Sequence, residues 1–187
     1  MKKVLSIGLL LLFFVGCVDK QSVLFINNMG LCTKSMATLH VNALEIQNNA
    51  QTFNVTPEEF TIALVNALKE TNCFVVSTAK VESVHALPSR NDYLLDTKVS
   101  LSQDKEKSEE NIFKSVEKER LLMMITLQSR NNGNRASANA KSEIVIDKSK
   151  ILGIKPESDA EGDKRTLLKN ATKKVSIALS DAFIKLQ

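Results

Sequence analysis

The sequence has no tryptophan, one tyrosine, two histidines, three cysteines, three prolines and six glycines in 187 residues. Each scarcity narrows the function. Aromatic residues make up 5% of the chain, too few for the basic-plus-aromatic surface on which single-stranded nucleic acids stack. Six glycines leave little for a phosphate-cradling loop, and the chain contains no G-x-x-x-x-G-K-[ST], no G-x-S-x-G and no C-x-x-C. His40 and His85 stand in no metal-ligand spacing such as H-E-x-x-H. Asp92, Asp96 and Asp147 have the chemistry of an acid–base pair, but their strand positions read as solvent-facing sheet edges. The net charge of +4 is far below the clustered basic surface that a nucleic-acid partner requires. A protein without catalysis, cofactor, metal or nucleic acid is expected.

Apolar character is concentrated at the start. Val4 to Val15 is almost wholly apolar and follows Lys2-Lys3. About a dozen apolar residues behind a basic start are too short for a permanent bilayer-spanning helix, so 1–16 reads as a signal segment. It ends Phe14-Val15-Gly16-Cys17. Gly16 followed at once by Cys17 resembles the lipobox of bacterial lipoproteins, with Phe14 where leucine is usual. The resemblance implies cleavage after Gly16, diacylglycerol in thioether linkage on Cys17, and an N-acyl chain on the new terminus. One acyl chain anchors marginally, whereas two or more hold stably. In such proteins an aspartate after the cysteine favours inner-membrane retention. Val18 fills that slot, which points to an outer-membrane, periplasm-facing location rather than the inner membrane or cell surface. Without Lys2 and Lys3, 23 basic residues face 21 acidic ones, a balance of +2.

Residues 17–35 show no period and read as the lipidated cysteine plus a flexible tether. Cys32 and Cys73 have two readings: a disulfide suited to an oxidising compartment, or a buried core thiol at Cys73 with Cys32 left in the leader.

From residue 36 to 187 a single periplasmic domain is expected. Met36 to Ile46 reads as a strand whose apolar residues change parity at Asn42-Ala43, the mark of a bulge. Thr56-Pro57-Glu58-Glu59 is a capping box with proline at the first helical position. Phe60, Leu64, Ala67 and Leu68 follow as one helical stripe. Cys73 to Ala79 is a β-branched strand, and 80–91 a connection. Asp92 to Ser102 alternates strictly, with Tyr93, Leu95, Thr97, Val99 and Leu101 on one face. Leu121 to Gln128 and Ala136 to Asp147 flank an Asn-Gly hairpin turn at 131–134. A last helix is predicted from about Lys164 to Leu186, on a stripe of Leu168, Ala171, Val175, Ala178 or Leu179, Ala182 and Leu186. The order β-α-β-β-β-β-α lets both apolar stripes pack on one face of an antiparallel or mixed sheet, an α+β fold.

Segment 103–119 has ten charged residues in 17. It reads as a solvated hairpin loop or short helix. As a helix it would offer Ile112, Phe113 and Val116 as an apolar edge to a partner groove.

Phe60 to Leu68, Phe74 to Val76, Asp92 to Leu95, Ala138 to Ile146 and Leu167 to Leu186 together resemble the small α+β domain of curli-secretion channel and penicillin-binding-protein activator lipoproteins. The resemblance implies an assembly or regulatory module of the envelope with a protein partner. The alternatives are an oligomeric secretion or pore accessory, and a carrier of a small apolar ligand. Lipid-facing hairpins of the channel type need alternating strands of roughly ten residues, which the charged 103–119 does not supply.

Overall fold

In a computed structural model the described residues are 30–51, 53–111, 114–151 and 159–186. The signal segment, Gly16, Cys17, Ile112 and Phe113 lie outside them. The elements are β1 (Ala37–Asn48), α1 (Pro57–Glu70), β2 (Phe74–Ser77), β3 (Asp92–Asn111), β4 (Lys114–Arg130), β5 (Arg135–Ile151) and α2 (Ala160–Ile184), with a 3-10 turn at Val84–Ala86. The sheet order is β2-β1-β3-β4-β5. β1 runs parallel to both β2 and β3, while β3, β4 and β5 are antiparallel. The fold is therefore α+β with a mixed five-stranded sheet.

Local chemistry sets most of these boundaries. Thr56 accepts from the Glu59 amide while Glu59 reaches back to the Thr56 amide, so the capping box closes in both directions. Phe60, Leu64, Ala67 and Leu68 are all buried. At the other end of α1, Asn72 takes φ 58°, a left-handed conformation that asparagine tolerates after a helix. The register of β1 against β3 slips between Val41 and Leu44. That bulge returns Leu44 and Ile46 to the face on which Leu39 is already buried.

Both helices cover that one face. Leu39, Leu95, Val99, Leu101, Met123, Ile125 and Leu127 of the sheet form one core with Phe60, Leu64 and Leu68 of α1 and Leu167, Val175 and Leu179 of α2. α2 lies mainly over β5, where small residues meet: Ala136, Ala138 and Ser142 on the strand, and Ala171, Thr172, Ser176 and Ser180 on the helix are buried. Among the described residues no helix is long and apolar enough to cross a membrane.

Three expectations need correction. Residues 103–111 and 114–119 are neither loop nor helix but the far halves of β3 and β4, paired antiparallel; of the expected apolar edge, Ile112 and Phe113 lie outside the described residues. Val116 lies in β4 opposite Ser108. Helix α2 starts at Ala160, capped by Asp159 accepting from the Gly162 amide, and its terminal anchor is Phe183, with Leu186 half exposed. Finally, the expected tether does not stay clear of the body over its last residues. Cys32 is disulfide-bonded to Cys73, the Cys32 amide donates to Thr71 O, and the Met36 amide donates to Cys73 O.

Candidate functional site: a charged arm, a cleft and a free strand edge

The sheet is longer than its helical cover. On the core face β3 carries Val99 and Leu101, then Gln103, then the exposed Lys105 and Lys107. The changeover is at Glu119 and Ile146, which line a cleft with the N-terminal turn of α2. Beyond it the three strands continue as an arm.

In the arm, opposite charges face one another across the strands. Antiparallel register sets Asp104 opposite Arg120, Lys105 opposite Glu119, Glu106 opposite Lys118 and Lys107 opposite Glu117. These are four successive opposite-charge positions, alternating between the two faces; apart from the one at the buried Glu119, such exposed pairings stabilise by a few tenths of a kcal/mol each. Arg120 also bridges to Glu143 of β5 at 2.9 Å. Sequence reasoning missed this ladder. Its signal is that 104–107 reads Asp-Lys-Glu-Lys and 117–120 reads Glu-Lys-Glu-Arg, which complement each other once folded back.

Where the arm leaves the body there is a cleft of about 330 Å³, lined by Phe53, Leu121 and Ile146 below and by Glu59, Glu119, Glu161 and Lys164 around it. Glu119 is buried and accepts from the Gln103 amide. Glu59 accepts from the Thr56 amide and from Lys164 Nζ at 2.9 Å. The Thr56 amide first, then Lys164, hold its pKa down to about 2. Three carboxylates around one ammonium give an acidic rim. Among the described residues no group of three His, Cys, Asp or Glu side chains is placed to hold a metal.

A second polar cluster lies at the other end of the sheet. His40 Nε2 is 3.3 Å from Asp92 Oδ2, and both side chains are buried on the face away from the helices, beside Leu94. The 78–91 connection has to pass β1 to join β2 to β3, and this burial places it over that face. Asp92 is therefore not a solvent-facing edge residue. Asp96 accepts from Asn42 and pairs with Arg130 at 3.1 Å. Asp147 sits in β5 opposite Lys118, far from both. The three aspartates form no acid–base pair. His85 lies in the 3-10 turn.

β5 forms one border of the sheet, with β4 as its sole strand partner among the described residues. It runs for 17 residues, without a register shift against β4. The opposite border, β2, has four residues.

No family model matches the chain, and no curated protein does. Solved structures similar to it include a homologue of a neuraminyllactose-binding hemagglutinin from Helicobacter pylori, at 14% identity and TM-score 0.48, covering 86% of this chain and 96% of that one. A minor lipoprotein from Acinetobacter baumannii matches at 11% identity and TM-score 0.41, over 79% and 93% of the two chains. A PelC dodecamer from Paraburkholderia phytofirmans matches at 12% identity and TM-score 0.34, over 80% and 94%.

Proposed function

We propose that the chain is a lipid-anchored envelope lipoprotein acting as a non-enzymatic protein-interaction, assembly or regulatory module. Acyl chains on Cys17 tether it to the periplasmic side of the outer membrane, and the folded body works by contact. Gly16-Cys17 behind a basic, apolar segment supports the anchor.

The observation that carries the contact role is the arm. Residues 104–107 and 117–118 extend beyond the helix layer. They bury no apolar surface for the core, and present alternating charges on both faces. An exposed strand pair that buries no apolar side chains adds little to stability, so its length is explained best by something it touches. The partner this surface suits is a protein with interspersed charges of both signs.

Two measurements test the reading. Cys17→Ala should move the protein from the membrane to the soluble fraction of lysed cells; retention in the membrane overturns the anchor. A photoreactive residue at Glu106 should give a discrete adduct in intact cells that is lost on Lys105→Glu/Lys107→Glu, whereas a probe at Ile62 on α1 should give none. Equal labelling at both positions overturns the arm as contact element.

A further inference from the structure

The direction in which the β5 backbone points can be read from its hairpin. The Asn131 amide donates to Asn134 O, so this pair is hydrogen-bonded, and in an antiparallel ladder such pairs alternate. With no register shift along β4–β5, the even-numbered residues 136 to 146 direct N–H and C=O toward β4. The odd-numbered residues 135 to 145 direct theirs to the open border. Two contacts agree. Ser129 Oγ on β4 donates to Ala136 O at 3.2 Å, and Lys174 Nζ of α2 reaches Lys141 O from outside at 3.5 Å.

We propose that this border pairs with itself: a second copy of the chain adds its β5 antiparallel, about a two-fold axis at Ser142, so that one sheet continues through both subunits. Strand addition to a free edge is a general recognition mode, and a two-fold axis needs a patch complementary to itself. β5 has that property in this register. Lys141 stands opposite the second copy's Glu143, and Glu143 opposite the second copy's Lys141. Both side chains lie on the face away from the helices, where in the single chain Glu143 also meets Arg120 at 2.9 Å and Lys141 at 4.0 Å. On the helix face Ala140 meets Ile144 and Ala138 meets Ile146, small against large, with both isoleucines only partly covered in the single chain. Moving the axis by one residue puts Lys141 opposite Lys141 or Glu143 opposite itself, depending on direction, so charge selects the register. The outward N–H and C=O of Lys141 then bond with those of the second copy's Glu143, which take over the carbonyl that Lys174 caps in the single chain.

Three of the usual guards against pairing are absent from the border. It has no proline and no bulge, and is not short. Its charges are of both signs and placed to match rather than repel. This inference concerns the folded body and does not depend on the lipid anchor.

The test uses the full chain solubilised in mild detergent, followed by sedimentation velocity over a range of protein concentrations. The wild-type chain should dimerise. Lys141→Glu and Glu143→Lys, each creating two like-charge contacts at the axis, should each weaken self-association at least about tenfold. The double reversal should restore it, and so should mixing the two single variants, because each then meets its complement. Glu143→Lys also removes the ion pair with Arg120 inside the chain, so a thermal melt of each variant separates a loss of fold from a loss of pairing. Hydrogen exchange gives an independent readout. Amides of Asn139, Lys141, Glu143 and Val145 should gain protection with concentration in the wild type, and exchange as edge amides in Lys141→Glu. A wild-type chain that stays monomeric overturns the proposal, as when residues 18–29 of the same chain cover the border. So does a dimer insensitive to either reversal, or single variants that do not rescue one another.

Discussion

The two ends of one sheet are built on different physics. Around Leu101 and Met123 the strands are sandwiched under two helices, and their core-face side chains are shut off from water. A few residues further along the same strands, Lys105, Lys107 and Glu106 stand in solvent, and opposite charges face one another across the register. Burial of apolar surface is worth several times more per residue than an exposed ion pair. The covered end should therefore set global stability and the arm should open independently of it, as low-stability segments do. Substitutions at matched positions can break that division or sharpen it.

The largest effect should come from the staple at the far side of the core. Cys32 and Cys73 are 41 residues apart in sequence, and closing a loop of that length stabilises by about 4 kcal/mol in the chain-entropy picture. Reductant, or Cys32→Ala, should lower the urea midpoint accordingly while leaving exchange of the arm amides unchanged. A loss below about 1 kcal/mol would mean the N-terminal approach to the body is held by other contacts. Next comes Leu101→Ala, at a side chain with 0% exposure, expected to cost about 3 kcal/mol through lost burial and a residual cavity. Lys107→Ala, on the same strand and face, should cost under about 0.5 kcal/mol. Similar losses at the two sites would refute the division.

That contrast also governs how far the chain could be read before folding. The capping box at Thr56 to Glu59 was legible because its donors and acceptors lie within four residues. The bulge near Asn42 was legible because burial imposes a period of two, and a change of parity then has one meaning. Strict alternation from Tyr93 to Leu101 announced a half-buried strand for the same reason. The pattern ceased to inform where burial ceased. Asp, Glu and Lys are poor strand formers, and only the register inherited from the covered half, together with partners 10 to 16 positions away such as Lys107–Glu117 and Asp104–Arg120, makes 103–111 and 114–119 a strand pair. The His40–Asp92 contact was illegible for a different reason. Its partners are 52 residues apart, and meet because β1 and β3 run parallel with Thr38 beside Asp92, a pairing that no local pattern encodes. At the C-terminus the three-and-four spacing favoured Leu186, yet Phe183 takes the anchoring role, with its ring edge-on to Phe74 and Tyr93 at 5.1 and 4.9 Å. The free border of β5 follows from strand order, which the chain's own pattern leaves open.

A middle-sized effect belongs to the junction between the two ends. Thr56→Ala removes the cap of α1 and should cost about 1 kcal/mol. Glu59 makes the same junction sensitive to acid. Its folded pKa of about 2 lies below the ordinary carboxylate value, so the stability it contributes is complete above about pH 4.5 and disappears as pH falls toward 2. Glu59→Gln should lower stability at pH 7, where that contribution is complete, and flatten the acid limb of the stability curve over that window. Since the side chain is 43% exposed, water screens part of the effect. An unchanged acid limb would show that Lys164 and the Thr56 amide do not hold the carboxylate in solution.

The smallest effect is the most informative about the arm. Glu106→Lys places a lysine opposite Lys118, turning one attractive cross-strand contact into a repulsive one. A change of only a few tenths of a kcal/mol in global unfolding is expected, because both side chains are exposed. Its local consequence should be larger. With no helix above them, the arm amides owe their protection to the ladder itself, so their exchange should accelerate several-fold while amides near Leu101 and Ile125 keep their rates. Adding Lys118→Glu should restore the original protection by reversing the pair. High salt should act in the same direction as the single substitution, and on the arm alone, since it screens exposed charges and leaves the buried core untouched. If Glu106→Lys instead loosens both ends together, the sheet is one cooperative unit, and the arm is fastened to the body by more than its charges.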